Sequence, residues 1–213
     1  MGDLGGRHAR AARSGDCRPR DASTGPVKRV SITNLGDFTG TVVTSVVDAS
    51  FSFSGGTGTV SEWVVRDATS ALCPGCLSFV YQVHLDTGVV GLIEGASYSG
   101  FTVDVAHFIG PSASLTGSTA GGFGANDADR SADGSTIGFN FSNPITPGNN
   151  SFLEIANTNA ISFMGGIIGV DGTGENGTSI GGFAPGLAAV PEPATVLLIG
   201  SGLVAIGVWR RRR

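Results

Sequence analysis

The sequence predicts an all-β fold, a β-sandwich over residues 30–189 followed by one apolar C-terminal helix. Three observations carry that expectation. Short segments rich in Val, Ile, Phe, Thr and Ser alternate apolar with polar residues and are broken by Gly and Pro clusters. The chain holds 35 glycines in 213 residues but only 14% charged residues, against usual shares of about 7% glycine and about 25% charged. No segment before Pro193 shows a capped apolar stripe of helical period, which removes support from helical folds and from βαβ nucleotide-binding architectures.

Eight segments read as strands in chain order. TGTVVTSVV from Thr39 and TVSEWVV from Thr59 come first, and LSFVYQVHL follows from Leu77. In that third segment Leu77, Phe79, Tyr81, Val83 and Leu85 share one face, and Ser78, Val80, Gln82 and His84 share the other. TGVVGLI from Thr87 is next, then FTVDVAHFI with Phe101, Val103 and Val105 directed inward. STIGFNFS sets Ile137, Phe139 and Phe141 against Gly138, Asn140 and Ser142. SFLEIAN from Ser151 and AISFMGGIIGV from Ala160 complete the set. Strands of this length between turn signals point to a sandwich, and no fixed-period repeat supports a solenoid. A 40% hydrophobic content is enough for one buried core.

Charge is unevenly placed along the chain. The net charge is −4, and between Val30 and Ala189 the basic residues are Arg66 and Arg130. An acidic body repels phosphate backbones, so nucleic acid is excluded as a partner. Residues 1–29 form a basic, low-complexity arm without the apolar run of a secretory leader, and the reading favours a mis-called start over a disordered arm.

The three cysteines are Cys17 in the arm and the pair Cys73 and Cys76 in LCPGCL. A redox C-x-x-C would open a helix, whereas here a strand pattern follows; the favoured reading is a Pro-Gly turn, open to disulfide closure in an oxidising compartment. One such pair lacks the four ligands of a zinc site, and no cofactor is expected.

The last residues read VPEPATVLLIGSGLVAIGVWRRRR. Residues 194–209 are uncharged and would span about 24 Å as a helix, just short of the bilayer core of about 30 Å. With Trp209 at the interface and Arg210, Arg211, Arg212 and Arg213 as a cytoplasmic stop, the segment reads as a transmembrane helix with everything before Pro193 across the membrane. That orientation requires export, which the arm as written does not provide.

Val190, Pro191, Glu192 and Pro193, a short glycine-containing apolar helix and a terminal arginine cluster together resemble the PEP-CTERM sorting signal of Gram-negative bacteria, also catalogued as an ice-binding protein C-terminal domain. The resemblance implies export, transient anchoring in the inner membrane and processing by an exosortase on the way to the surface or extracellular matrix. It implies Glu192 as the recognised residue, held outside the bilayer by two prolines that keep the strip extended. More weakly, FTGTVVTSVVDA, LSFVYQV, DRSADGSTIGFNFSNPITPGNNSFLEIANT and GFAP resemble β-rich ectodomains that precede such tails, over Phe38 to Pro185.

Candidate chemistry in the body is sparse. His8 lies in the arm, and His84 reads as a solvent-facing or partly buried structural residue. His107 is in phase with Val103 and Val105 and reads as a satisfied strand-end histidine ahead of a catalytic base. GTSIG at residues 177–181 matches the nucleophile-elbow pattern without a strand before it or a helix after it. Asp127, Asp129 and Asp133 alternate as in calcium loops, but the sixth and twelfth positions counted from Asp127 are Ala132 and Gly138, where an EF-hand needs Gly and Glu. The competing reading is a polar loop in which Arg130 pairs with a carboxylate. Sequons at Asn140, Asn149 and Asn176 are expected by chance, and the threonines of FTGT and GTGT lack the repeat an ice-binding array needs. The sequence therefore predicts an exported, non-enzymatic surface or matrix protein, with exosortase, the export machinery, the inner membrane and exopolysaccharide as partners. A secreted hydrolase or a calcium-dependent glycan-binding adhesion module carried by the same tail is the alternative.

Overall fold

A computed structural model describes residues 28–36, 38–67, 72–173 and 177–187. The strands are β1 (Lys28–Ser31), β2 (Thr33–Asn34), β3 (Thr41–Phe53), β4 (Gly56–Asp67), β5 (Cys76–Thr87), β6 (Val90–Gly95), β7 (Val103–Phe108), β8 (Asp127–Arg130), β9 (Ile137–Ile145), β10 (Asn149–Asn150), β11 (Leu153–Thr158), β12 (Ser162–Asp171) and β13 (Thr178–Gly186). They form two sheets, ordered β1-β8-β9-β6-β12-β13 and β2-β7-β11-β5-β4-β3, with β10 added to β5. No helix occurs among the described residues. The expected transmembrane helix over 194–209 lies outside them, as does most of the basic arm. Lys28 and Arg29, however, belong to β1, which pairs with Arg130 and Asp129 of β8 ahead of the expected start at Val30.

The inward face of β5 is as the alternation predicts: Leu77, Phe79, Tyr81, Val83 and Leu85 are fully buried between the sheets, against Ile93 and Phe139 of the opposing sheet. The other face is buried too. Trp63, Val65, Val80 and Ile155 pack under Phe38 and Leu115, so the second sheet is covered on both sides. The cover comes from the long β7–β8 connection together with Phe38 between β2 and β3. Trp63 Nε1 donates to the Thr116 carbonyl at 3.1 Å, and Ser112 Oγ donates to the Phe38 carbonyl at 3.1 Å. Gln82 grips the same connection at Thr119, where Nε2 donates to the carbonyl at 2.8 Å and Oε1 accepts from N at 2.9 Å; Nε2 also donates to the carbonyl of Ser151, between β10 and β11, at 2.9 Å. Buried amides of this kind persist where every polar atom has a partner.

One expectation needs correction. DADR is a strand and not a loop: Asp127 to Arg130 pair with β9 on one side and β1 on the other, and the loop begins only at Ser131. The strand expected from Thr59 starts earlier, with β4 opening at Gly56 and Thr57 Oγ1 meeting Thr87 Oγ1 across the sheet at 3.0 Å. Short strands with central Asp and Gly escape propensity because their cross-strand partners, and not their own side chains, stabilise them.

The edge strand β3 is broken by register shifts between Val42 and Thr44 and between Val46 and Ala49. Asp48 sits there at φ 53°, its N–H donating to Ser61 Oγ at 2.9 Å. Bulges on an edge twist it away from pairing with another chain.

Gln82→Ala should remove the clamp on the β7–β8 connection and leave Thr119 N without its acceptor. Urea unfolding should show a loss of about 1–3 kcal/mol, with hydrogen exchange accelerated over residues 112–121. Unchanged exchange there would show that apolar packing alone holds the cover.

Candidate functional site

The register of the first sheet gathers acidic side chains on its outer face. One row across the strands runs Asp129, Gly138, Glu94 and Gly169; the next runs Asp127, Asn140, Leu92 and Asp171. Asn140 Nδ2 donates to Asp127 Oδ1 at 2.9 Å and to Asp129 Oδ2 at 3.1 Å, so a neutral amide sits between the two carboxylates. The two glycines leave space for their neighbours: a Cβ on Gly138 would stand 2.9 Å from Asp129 Oδ1, and one on Gly169 would stand 3.2 Å from Glu94 Oε2. Burial, then the charges of Asp171 and Asp129, push the Glu94 carboxyl up; burial does the same to Asp171.

The third expected calcium ligand is elsewhere. Asp133 Oδ1 accepts from Ser131 Oγ at 2.7 Å, Ser135 Oγ at 2.8 Å and Ser135 N at 3.0 Å, closing the β8–β9 turn. The Ser131 bond first, and then those from Ser135, pull its pKa down to about 2. Asp127, Asp129 and Asp133 do not converge, and among the described residues no group of three His, Cys, Asp or Glu is placed to hold a metal ion. Arg130 does not pair with a carboxylate in the expected way. Its guanidinium donates to the carbonyls of Tyr98 and Phe101, each at 2.9 Å, and of Gly134 at 3.0 and 3.1 Å, fastening the turn onto the β6–β7 connection.

A second constellation, not expected from the sequence, lies between the sheets. Glu62, Tyr81, Glu154 and His107 are direct cross-strand neighbours on β4, β5, β11 and β7. Tyr81 and Tyr98 share a hydroxyl hydrogen bond of 2.6 Å. Glu62 Oε2 accepts from Phe183 N at 2.7 Å, and Glu154 Oε1 accepts from Ala125 N at 2.9 Å. Both glutamates are 0% exposed, and Glu62 Oε1, Glu154 Oε2 and His107 Nδ1 are buried without hydrogen-bond partners. Desolvation pushes each glutamate from the ordinary 4.5 to about 8, so both are neutral acids at pH 7. Glycine makes the room: a Cβ on Gly182 would collide with Glu62 Oε2, and one on Gly95 with the Tyr81 hydroxyl. The sequence signal was present, because Glu62 is in phase with inward Val60 and Val64, and Glu154 with Ala156.

The remaining candidates have structural surroundings. His107 is half-buried, its ring edge-on to Phe152 at 5.2 Å, and burial pushes its pKa down. His84 Nδ1 meets Asn150 Oδ1 at 2.7 Å, and its Nε2 lies 3.5 Å from Asp86 Oδ1. Ser179 of GTSIG lies inside β13, where no strand-to-helix elbow can form. Cys73 and Cys76 form a disulfide across the turn, with Gly75 at φ 78° and Arg66 Nη1 donating to the Gly75 carbonyl at 2.7 Å. Of the sequons, Asn140 is engaged by the two aspartates and Asn149 by Thr146 and Pro147, while Asn176 is outside the described residues.

Residues 189–213 match the family model of the PEP-CTERM protein-sorting motif. No curated protein and no solved structure matches the chain. The chain thus carries a sorting motif that marks an exosortase-sorted, secreted or cell-surface protein handled at the membrane. Val190, Pro191, Glu192, Pro193 and Arg210 to Arg213 all fall in the matched segment, outside the described residues.

The buried acids give stability a defined pH dependence. Each keeps its proton up to about pH 8 when folded but loses it near 4.5 when unfolded, so the folded chain binds more protons between those values. Their contribution is complete below about 4.5 and is lost as pH rises through 8, by up to about 1.4 kcal/mol per pH unit for each carboxyl. His107, depressed from 6.5, acts in the opposite direction only below that value. Thermal melts between pH 7 and 8 should therefore fall with pH, and Glu62→Gln and Glu154→Gln should each flatten the slope. An unchanged slope in both variants would show that other groups set it.

Proposed function

We propose that this chain is an exported, non-enzymatic surface or extracellular-matrix protein of a Gram-negative cell. Its ectodomain, residues 30–189, is the delivered cargo, and residues 190–213 are the temporary anchor and address. The observation that carries this reading is the sorting-motif match at 189–213, placed directly after the last strand of an all-β domain. In that reading residues 194–209 cross the inner membrane, the four arginines hold the cytoplasmic side, and an exosortase recognises the extended strip around Glu192.

Two features of the body favour delivered structure over delivered chemistry. The most strongly shifted acids, Glu62 and Glu154, are sealed between the sheets, where no substrate reaches them. His107 faces the Phe152 ring and lies beside Glu154, and among the described residues it is not brought together with a serine nucleophile and an aspartate. The acidic outer face, with Asp127, Asp129, Glu94 and Asp171, suits hydrated, weakly charged surroundings such as exopolysaccharide, the partner we assign to it.

The native termini test the reading. Peptide mass spectrometry of envelope and extracellular fractions should find a mature chain beginning near Val30 and ending between Val190 and Pro193. Glu192→Ala should leave the uncut chain in the membrane fraction. An intact Met1 to Arg213 chain in the cytoplasm would overturn the proposal.

A further inference from the structure

The ladder joining β12 to β13 runs past the rest of its sheet. β12 pairs with β6 only from Ile168 to Asp171, whereas it pairs with β13 from Ser162 to Val170. The stretch from Ser162 to Gly166 consequently has β13 as its paired neighbour and no strand paired on its other side among the described residues, while the Ile167 carbonyl accepts from Ala96 N at 3.1 Å just beyond β6. Five large apolar residues on this stretch, beside it or flanking the ladder's end are exposed: Ile161 (59%), Phe163 (37%), Met164 (48%), Ile167 (51%) and Leu187 (86%). Ser162 pairs with Gly186, which places Ile161 and Leu187 together at the open end of the ladder, and Phe163 meets Phe183 edge-on at 5.5 Å.

Charge is absent from this end. No Asp, Glu, Lys, Arg or His occurs from Ala160 to Val170 or from Thr178 to Leu187, on a body whose other surfaces carry most of its thirteen acidic groups between Val30 and Ala189. A leaflet that carries anionic lipid repels an acidic surface and leaves an uncharged apolar end free to approach. The chain continues from Leu187 straight into the sorting motif. Six residues separate Leu187 from Ala194, where the uncharged run of 194–209 begins, so the tip can stand no farther than about 20–25 Å of extended chain from that run.

We infer that the open end of the β12–β13 ladder, Ile161, Phe163, Met164 and Leu187, is a lipid-docking tip that seats the ectodomain on the bilayer while the tail is inserted. The occupant is a phospholipid surface, entered to the depth of the headgroup and acyl boundary by aromatic and aliphatic side chains that water otherwise covers. Docking would hold the strip around Glu192 at a fixed height above the membrane, where a membrane-embedded processing enzyme meets it. The inference rests on the membrane insertion of residues 194–209 argued above.

The test uses the full chain in vesicles of phosphatidylcholine and phosphatidylglycerol, with Cys17→Ser as background. An environment-sensitive probe is attached through Met164→Cys, or through Asp86→Cys at the opposite end of β5. Vesicles with brominated acyl chains quench whatever lies within the interface. Trp209 emission reports the tail independently, since Trp63 is buried in the ectodomain. Docking predicts that brominated lipid removes more than about half of the Met164 probe's emission and less than about a tenth of the Asp86 probe's, with quenching confined to groups within the interfacial 5–10 Å. Ile161→Glu with Leu187→Glu should abolish the quenching at Met164 while leaving that at Trp209. Quenched Trp209 with an unquenched Met164 probe overturns the docking tip and leaves tail insertion standing. Neither quenched overturns insertion, and docking with it. Equal quenching at Met164 and Asp86 means undirected adsorption and also overturns the proposal.

Discussion

The sandwich is more stable with Glu62 neutral, because burial raises the pKa of its carboxyl to about 8. Its carboxyl stands on β4, inside the space between the sheets, and reaches the backbone N–H of Phe183 on β13 of the opposite sheet. That contact is a hydrogen bond between layers that meet mainly through apolar packing. As a carboxylate, Glu62 would bring an uncompensated charge into the interior, since no cation is among its recorded partners. As an acid it is a compact polar group with one oxygen satisfied. Glu154, two strands away across Tyr81, repeats the arrangement with Ala125 N. The glycines at 95 and 182 are dictated by this row, because each stands where a Cβ would strike a polar atom of it.

The second sheet is burdened with a further requirement. Both of its faces are dry over β4, β5 and β11, so the chain must provide a cover there that neither sheet can supply. The β7–β8 connection does so together with Phe38, and its attachment is polar at the points where it touches the sheet: Trp63, Gln82 and Ser112 each spend a side-chain hydrogen bond on a backbone carbonyl. Ser, Gly and Ala fill the connection because it must lie close to the sheet while keeping its backbone groups satisfied. A long connection without secondary structure is usually functional or disordered; here it serves as the second wall of the core.

These two demands explain what the sequence disclosed. Alternation gave the inward faces of β5 and β9 directly, and of β7 at Val103 and Val105 but not at Phe101, which precedes the strand, because period two survives wherever one face meets the core. It was less informative for Val80 and Gln82, whose face is covered from a distance in sequence. It missed β8, whose Asp127 and Asp129 are held by Asn140 and by the strands on either side, a stabilisation that propensity does not record. The same three carboxylates looked like one ligand set because their spacing is local, yet a strand followed by a turn sends Asp133 away from the other two. The buried glutamates were visible as charges in phase with apolar positions, a pattern that reads as error until a glycine opposite makes room. The sorting motif was fully legible, since it is recognised as a linear string and depends on no tertiary contact.

A removable tail also constrains how the domain must end. If residues after Pro193 are to be cut away, the last strand has to be held by contacts made before that point. β13 meets this condition. It is an edge strand, yet it is paired with β12 along its whole length, and Ser162 Oγ donates to the Gly186 carbonyl at 2.8 Å at its very end. From the other sheet, Glu62 takes the Phe183 N–H, and Ala184 is fully buried. The strand is therefore fastened on two sides by residues inside the domain, and the first largely exposed side chain beyond it is Leu187. Cleavage downstream removes none of these contacts. The neutral glutamate between the sheets is thus one of the contacts that hold the last strand without help from the sorting motif that follows it.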